Sequence, residues 1–290
     1  MYGTAGLYSY RRCISCGFVW LYNPPVSVGS HYPPGYGGHW GTRMPWIDPK
    51  RPLKKVRSRL ALHRRCPWPS ILRRPFWDSW FARTGLTLDS SLCDIGCGNG
   101  YHLVQLWREG FSNLSGFDAF IERDLEYRGR VLVRRADLAD VVGIFDLVML
   151  HHSLEHMPDQ LAAMTHVRGL VRLGGFVLVR VPLVDSWAAY QFGGSWYQLD
   201  APRHHALHTR LSLAVLAAAT GFRIERVSDD STDGDLEASS RYARRRNDRL
   251  LTGVVTPDLD SRRLGAASST AGYLNNIHLG DQSCFLLEAI

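Results

Sequence analysis

A chain of 290 residues is long enough for one sizeable α/β domain with appended segments, and 45% apolar beside 21% charged residues excludes a largely disordered protein. No run of about 18 apolar residues occurs, and Met1 is not followed by a basic and then an apolar region, so neither a transmembrane span nor a signal peptide is expected. The net charge of +7 is uneven: Arg43 to Arg74 holds eleven Lys and Arg against one acid, Asp48, which reads as a solvated face or as a surface for an anionic partner.

Residues 1–42 are rich in Gly, Pro and Tyr, with turn signals at Asn23-Pro24-Pro25 and Tyr32-Pro33-Pro34-Gly35, and are expected to be irregular. Ser70 then offers an N-cap. Ile71, Leu72, Phe76, Trp80 and Phe81 form a rough apolar stripe, so the spacing predicts a helix over about 67–85, ended near Gly85. Beyond residue 90, short apolar strands alternate with helices. Strands are predicted at 91–95, 113–117, 131–134, 145–150, 176–181, 222–227 and 283–289, and helices at 101–109, 160–171 and 212–220. That rhythm signals βαβ units and a parallel sheet. Residues 229–282 are polar with little periodicity and are expected to hold loops and an Arg-rich helix around Arg241–Arg249.

The first of these strands ends in Asp94-Ile95-Gly96-Cys97-Gly98-Asn99-Gly100 and opens a helix. Glycines there permit a tight turn and a close backbone approach to a ligand, and the helix start offers N–H donors. A pyrophosphate fingerprint spaces its glycines G-x-G-x-x-G. The spacing here is G-x-G-x-G with an acid two residues before, which suits a ligand carrying a carboxylate and an ammonium but no phosphate. Asp118 ends the second strand, where a carboxylate can accept both hydroxyls of a ribose. Asp137 and Leu138 follow the third, where a contact to an adenine edge is expected.

Residues 90–228 resemble the class I S-adenosylmethionine (SAM)-dependent methyltransferases. The resemblance rests on the Asp94–Gly100 turn, Phe145–Asp159, Gly174–Pro182 and Trp196–His204, and several of these segments resemble a bacterial subgroup associated with polysaccharide and sugar biosynthesis. It implies an α/β, Rossmann-like, seven-stranded sheet whose last strand is antiparallel, with SAM across the carboxyl ends of its strands. It further implies that Asp94, Gly96, Cys97, Gly98 and Gly100 shape the methionine pocket. Asp118 would hold the ribose, Asp137 and Leu138 the adenine, and His151 would line the methyl-donor side. The division expected is an N-terminal extension over 1–75 and a methyltransferase domain over 76–290, with 229–282 inserted on the acceptor side.

Six of the twelve histidines fall in two short segments. His151-His152-Ser153-Leu154-Glu155-His156 also spells the H-x-x-E-H zinc-peptidase pattern, but it begins as the mouth of a strand rather than on a helix face. A related methyltransferase group binds a divalent metal through E-x-x-E-H at this place. Here His152 stands where the first Glu would be, and Glu155 and His156 are read as bracing the next helix. The second segment runs from Asp200 through Arg203, His204 and His205 to His208. A neutral imidazole near physiological pH is a natural base for a hydroxyl proton, which makes His152 and His204 the candidate catalytic residues. Arg203, Trp196 and His208 are candidate acceptor contacts, with Arg203 paired to Asp200 as the structural alternative.

Cys13 and Cys16 form a C-x-x-C knuckle. In the resembling subgroup two such pairs make a zinc ribbon, and only one is present here, so a zinc would need His31, His39 or a second chain. The remaining cysteines are scattered, which points to a reducing cytoplasm. The expected activity is SAM-dependent methyl transfer to an oxygen of a small-molecule or sugar-type acceptor; phosphorylated and nucleotide-linked acceptors both suit the basic charge. Peripheral membrane contact through 43–75 also suits it, and nucleic acid is not the expected partner. The competing readings are C-methylation of a keto sugar or quinone-type ring, and an inactive SAM-fold scaffold.

Overall fold

The computed structural model describes residues 7–25, 31, 48–62, 74–82, 84–127, 130–250 and 270–290. The expected aromatic loop over 30–39, apart from His31, lies outside the described residues, as do 43–47 and 63–73 of the basic segment. The chain begins with a hairpin of β1 (Tyr10–Arg12) and β2 (Val19–Leu21), followed by α1 (Arg51–Leu62) and the short α2 (Asp78–Phe81). Next come β3 (Ser91–Ile95), α3 (Tyr101–Glu109), β4 (Asn113–Asp118), β5 (Leu125–Tyr127), β6 (Arg130–Arg135) and β7 (Phe145–His151). These lead to α4 (Gln160–Leu170), β8 (Val171–Pro182), α5 (Trp187–Phe192), β9 (Ala206–Leu207) and α6 (Arg210–Ala219). The chain closes with β10 (Phe222–Asp229), α7 (Asp233–Leu250), α8 (Thr270–Asn276) and β11 (Gln282–Ala289).

Eight strands form one sheet in the order β10-β11-β8-β7-β3-β4-β6-β5. β8, β7, β3, β4 and β6 are mutually parallel, while β11 runs antiparallel to both β8 and β10. The expected Rossmann-like sheet with an antiparallel last strand is therefore present, extended by the edge strand β5, which pairs antiparallel with β6. Strand β3 has β4 on one side and β7 on the other, so the winding reverses between β3 and β7. In an open α/β sheet, that switch point is where the carboxyl ends leave a crevice for a ligand.

Alternation along the central strands separates two cores. Val148 and Leu150 of β7 pack on one face with Met164 and Val167 of α4 and Leu213 of α6. Leu147 and Met149 pack on the other with Leu103 and Leu106 of α3, Trp77, Phe81 and Phe111. Trp77 stacks on Phe81 at 5.1 Å and meets Phe111 edge-on at 5.5 Å. The helix expected over 67–85 is corrected: among its described residues only Asp78–Phe81 is helical. Pro75 explains this, because its ring disfavours a helical conformation at Arg74 and lets a helix begin only after it.

Sequence periodicity did not reveal the N-terminal hairpin. β2 pairs antiparallel with β9, Val19 opposite Leu207 and Trp20 opposite Ala206. The Thr209 hydroxyl donates to the Cys16 carbonyl at 2.6 Å, and the Tyr10 hydroxyl to that of His204 at 3.2 Å. Hairpin, α5, α7 and α8 share an apolar cluster that includes Val19, Ala188, Trp196, Leu236 and Leu274. Because β8 ends at Pro182 and β10 at Asp229, this layer caps the carboxyl edge of the sheet.

Candidate active site

The turn leaving β3 holds Gly96, Gly98 and Gly100 at φ of 70°, 55° and 74°, a region that favours glycine. A Cβ on Gly96 would lie 2.4 Å from the Ser153 Cβ, and one on Gly100 would lie 2.7 Å from Val133 Cγ2. The turn is thus pressed directly against the segment leaving β7. Asp118 braces it: one carboxylate oxygen accepts the Gly98 N–H and the other the Phe120 N–H, each at 2.8 Å. The Tyr127 hydroxyl of β5 donates to the Asn99 carbonyl at 2.8 Å, a support from a strand too short to read in the sequence. The Ala136 N–H donates to the Asp118 carbonyl at 3.2 Å, placing exposed Asp137 and half-buried Leu138 beside Asp118. Cys97 is half-buried, and its thiol occupies the space next to Gly116 of β4.

Asp94 ends β3 fully enclosed, and neither carboxylate oxygen has a hydrogen-bond partner. Burial pushes its carboxyl well above the ordinary range, and the neighbouring Asp118 adds to that. An enclosed orphan carboxylate beside a glycine cradle matches a ligand that brings its own ammonium group. On this observation the residues fit SAM: the turn and Asp94 would take the amino-acid end, with Asp118 and Asp137 towards the nucleoside.

His151 ends β7 with both ring nitrogens unpartnered, its ring 4.4 Å from Trp80 and 4.3 Å from His102. Burial, followed by the charge of Arg180, lowers His102 to about 4, and burial lowers His151 further, so both rings are neutral near pH 7. His152 follows at φ 51°, and its N–H donates to the Arg180 carbonyl at 2.9 Å. Its Nδ1 lies 3.3 Å from Glu155 Oε1. Burial opposes ionisation of Glu155, but the hydrogen bond from His152 and the nearby imidazoles outweigh it and hold the carboxyl at about 2.

Glu155, His156 and His204 each place one potential ligand atom within 4.8 Å of the others, a donor set able to hold a metal ion. His156 Nδ1 lies 3.0 Å from the Arg203 carbonyl and His204 Nδ1 2.7 Å from that of Gln198, which assigns the proton to Nδ1 in both rings. Cys13 and Cys16 do not acquire a third ligand among the described residues, and two thiols do not fill a tetrahedral zinc site. His31 instead sits 3.2 Å from the Tyr8 hydroxyl, and His39 lies outside the described residues.

The candidate acceptor contacts Trp196, Arg203 and His208 are buried and engaged by other residues of the chain. Trp196 donates its indole N–H to Asp281 at 3.1 Å. Arg203 forks onto the Asp200 carboxylate and also donates to the His31 carbonyl at 2.9 Å, as in its structural alternative. His208 pairs with Ser212 Oγ at 3.1 Å and with Gln160 Oε1 at 2.9 Å. These contacts brace the loop that follows β8. Trp80 has no local signal of its place at the site, because it reaches His151 only through tertiary packing.

Residues 60–227 match the sequence profile of a family described as a methyltransferase domain. A tRNA U34 carboxymethyltransferase of Actinobacillus succinogenes is 26% identical over 158 residues, 51% of this chain and 46% of that protein. This chain therefore spans less than half the length of that relative. EEF1A lysine methyltransferase 2 of Mus musculus is 49% identical over 39 residues, 13% of this chain and 16% of that one. A solved SAM-dependent methyltransferase from Archaeoglobus fulgidus is 17% identical with a TM-score of 0.45, covering 82% of this chain and 94% of its own.

Proposed function

This chain belongs to the methyltransferase-domain family, and from that premise we propose that it moves the methyl group of SAM onto an oxygen of a small-molecule or sugar-type acceptor, with His152 as general base. When bound, SAM supplies an electrophilic methyl group on a sulfonium. The chain's own residues then have three tasks. Asp94 and the Gly96–Gly100 turn seat the amino-acid end, Asp118 and Asp137 orient the nucleoside, and neutral His151 borders the methyl-donor side without repelling its charge. Alignment of this kind is worth about 7–11 kcal/mol.

The observation that carries the base is the pair His152–Glu155. Ionised Glu155 accepts from His152 Nδ1–H, fixing the tautomer in which Nε2 bears the lone pair. The His152 side chain keeps 30% of its surface exposed while Glu155 keeps none, so the imidazole faces outward with a carboxylate behind it. A left-handed backbone at a non-glycine residue of this kind marks sites where the surrounding structure enforces a geometry. His152 Nε2 would take the hydroxyl proton as the methyl carbon exchanges its bond to sulfur for one to the acceptor oxygen, which leaves a neutral thioether. His204 is buried with Nδ1 engaged, so its proposed part is to position Glu155 and His156.

The tRNA-modifying relatives favour a second reading with an RNA acceptor. Three of the basic residues of helix α1 are engaged within the protein rather than turned to an RNA. Arg51 donates to the Trp107 carbonyl, Lys54 pairs with Asp48, and Arg57 pairs with buried Glu109. The test is transfer of labelled methyl from SAM to nucleotide-linked sugars, lipid-linked sugars and bulk tRNA. With an accepted sugar, His152→Ala is expected to lower kcat about 10²–10⁴-fold while SAM binding is unchanged. Transfer to tRNA alone, or a His152→Ala rate within twofold of the parent, contradicts the proposal.

A further inference from the structure

Helix α1 buries Ser58, Ala61 and Leu62 against the protein and leaves its larger apolar stripe in solvent. At about 100° per residue, Pro52, Leu53, Val56 and Leu60 fall within an arc of roughly 100°. All four are exposed, with Leu53 at 74% and Val56 and Leu60 each at 56%. The opposite side is held by polar contacts. Buried Ser58 donates to Glu109 at 2.9 Å, and the Arg51 guanidinium lies 4.3 Å over the Trp107 ring. Ala61 and Leu62 anchor the end of the helix in the core, while Leu53, Val56 and Leu60 have no such cover.

We propose that this face of α1 rests on an anionic lipid surface. The helix has no acid in twelve residues, and Arg59 lies exposed at the edge of the stripe, with exposed Lys50 just before the helix. The flanking sequence adds Trp46, Arg64, Arg65 and Trp68. Aliphatic side chains with a basic rim suit the boundary between headgroups and acyl chains, where hydrophobic and electrostatic attraction add. A protein partner would meet an apolar stripe with one sign of charge around it, and an RNA would meet mostly leucine, valine and proline.

The test is co-sedimentation of the full chain with phosphatidylcholine vesicles, with and without about 30 mol% phosphatidylserine. Binding is expected only with the anionic vesicles, falling as salt rises. The triple variant Leu53→Glu, Val56→Glu, Leu60→Glu is expected to weaken it about tenfold or more, with melting temperature and oligomeric state unchanged. If that variant melts early, Lys50→Glu with Arg59→Glu is read instead, and binding must again fall. No pelleting with anionic vesicles overturns the proposal, as does equal binding by the variants. So does a parent dimer that the triple variant abolishes while neither protein pellets.

Discussion

Gly96 shows how much of the site depends on single atoms. Its φ of 70° and the 2.4 Å approach of a would-be Cβ to Ser153 mean that alanine meets both backbone strain and a collision. Gly85 supplies the control, with φ 76° and no atom within 4 Å of its Cβ position. Gly85→Ala is expected to cost about 1–2 kcal/mol from strain alone, and Gly96→Ala about 1–3 kcal/mol more. Thermal or urea denaturation measures both, and equal losses would show that the turn does not press on Ser153. The glycine spacing and Asp118 were legible in the sequence because they act through local backbone geometry. The link from His152 to Glu155 was not, since a spacing of three residues reads equally well as a helix brace. Whether a histidine such as His208 is exposed or saturated depends on Gln160, 48 residues away.

At the scale of elements, legibility follows the way each one is buried. β3, β7 and β8 lie inside a parallel sheet covered on both faces, so they appear as continuous apolar runs and their positions were expected to within a few residues. α4 and α6 carry recognisable caps: Asp159 accepts the Ala162 N–H, and Thr209 forms a capping box with Ser212. β1, β2 and β9 are two or three residues long, and β9 exists only because β2 lies beside it. No local pattern encodes such a pairing. The basic composition of the segment around α1 was plain, but its orientation was not. Glu109 and Trp107 of α3 decide which face turns inward, and they lie some fifty residues further along.

For the whole molecule, buried histidines set the response to acid. Burial lowers His102, His156 and His208 to about 4 each, from 6.5, and His151 further still. Groups whose folded pKa lies below the unfolded value stabilise the fold fully above pH 6.5. That contribution is lost as the pH falls towards 4, at about 1.4 kcal/mol per pH unit for each proton taken up on unfolding. Asp94 and Asp281, both raised by burial, work in the opposite sense but are fewer. The melting temperature is therefore expected to fall steadily between pH 6.5 and 4.5 by calorimetry. A flat profile over that range would mean that these rings are not held neutral in the core. The fold itself converges on the crevice between β3 and β7, where the glycine turn, the unpartnered Asp94 carboxylate and the His152–Glu155 pair come together. Titration of SAM into the full chain by calorimetry tests that convergence most directly. Saturable binding at one site, weakened about tenfold or more by Asp118→Ala in a protein that still melts cooperatively, is the expected result. A folded chain that gives no saturable heat, or an Asp118→Ala variant that binds as the parent does, would contradict it.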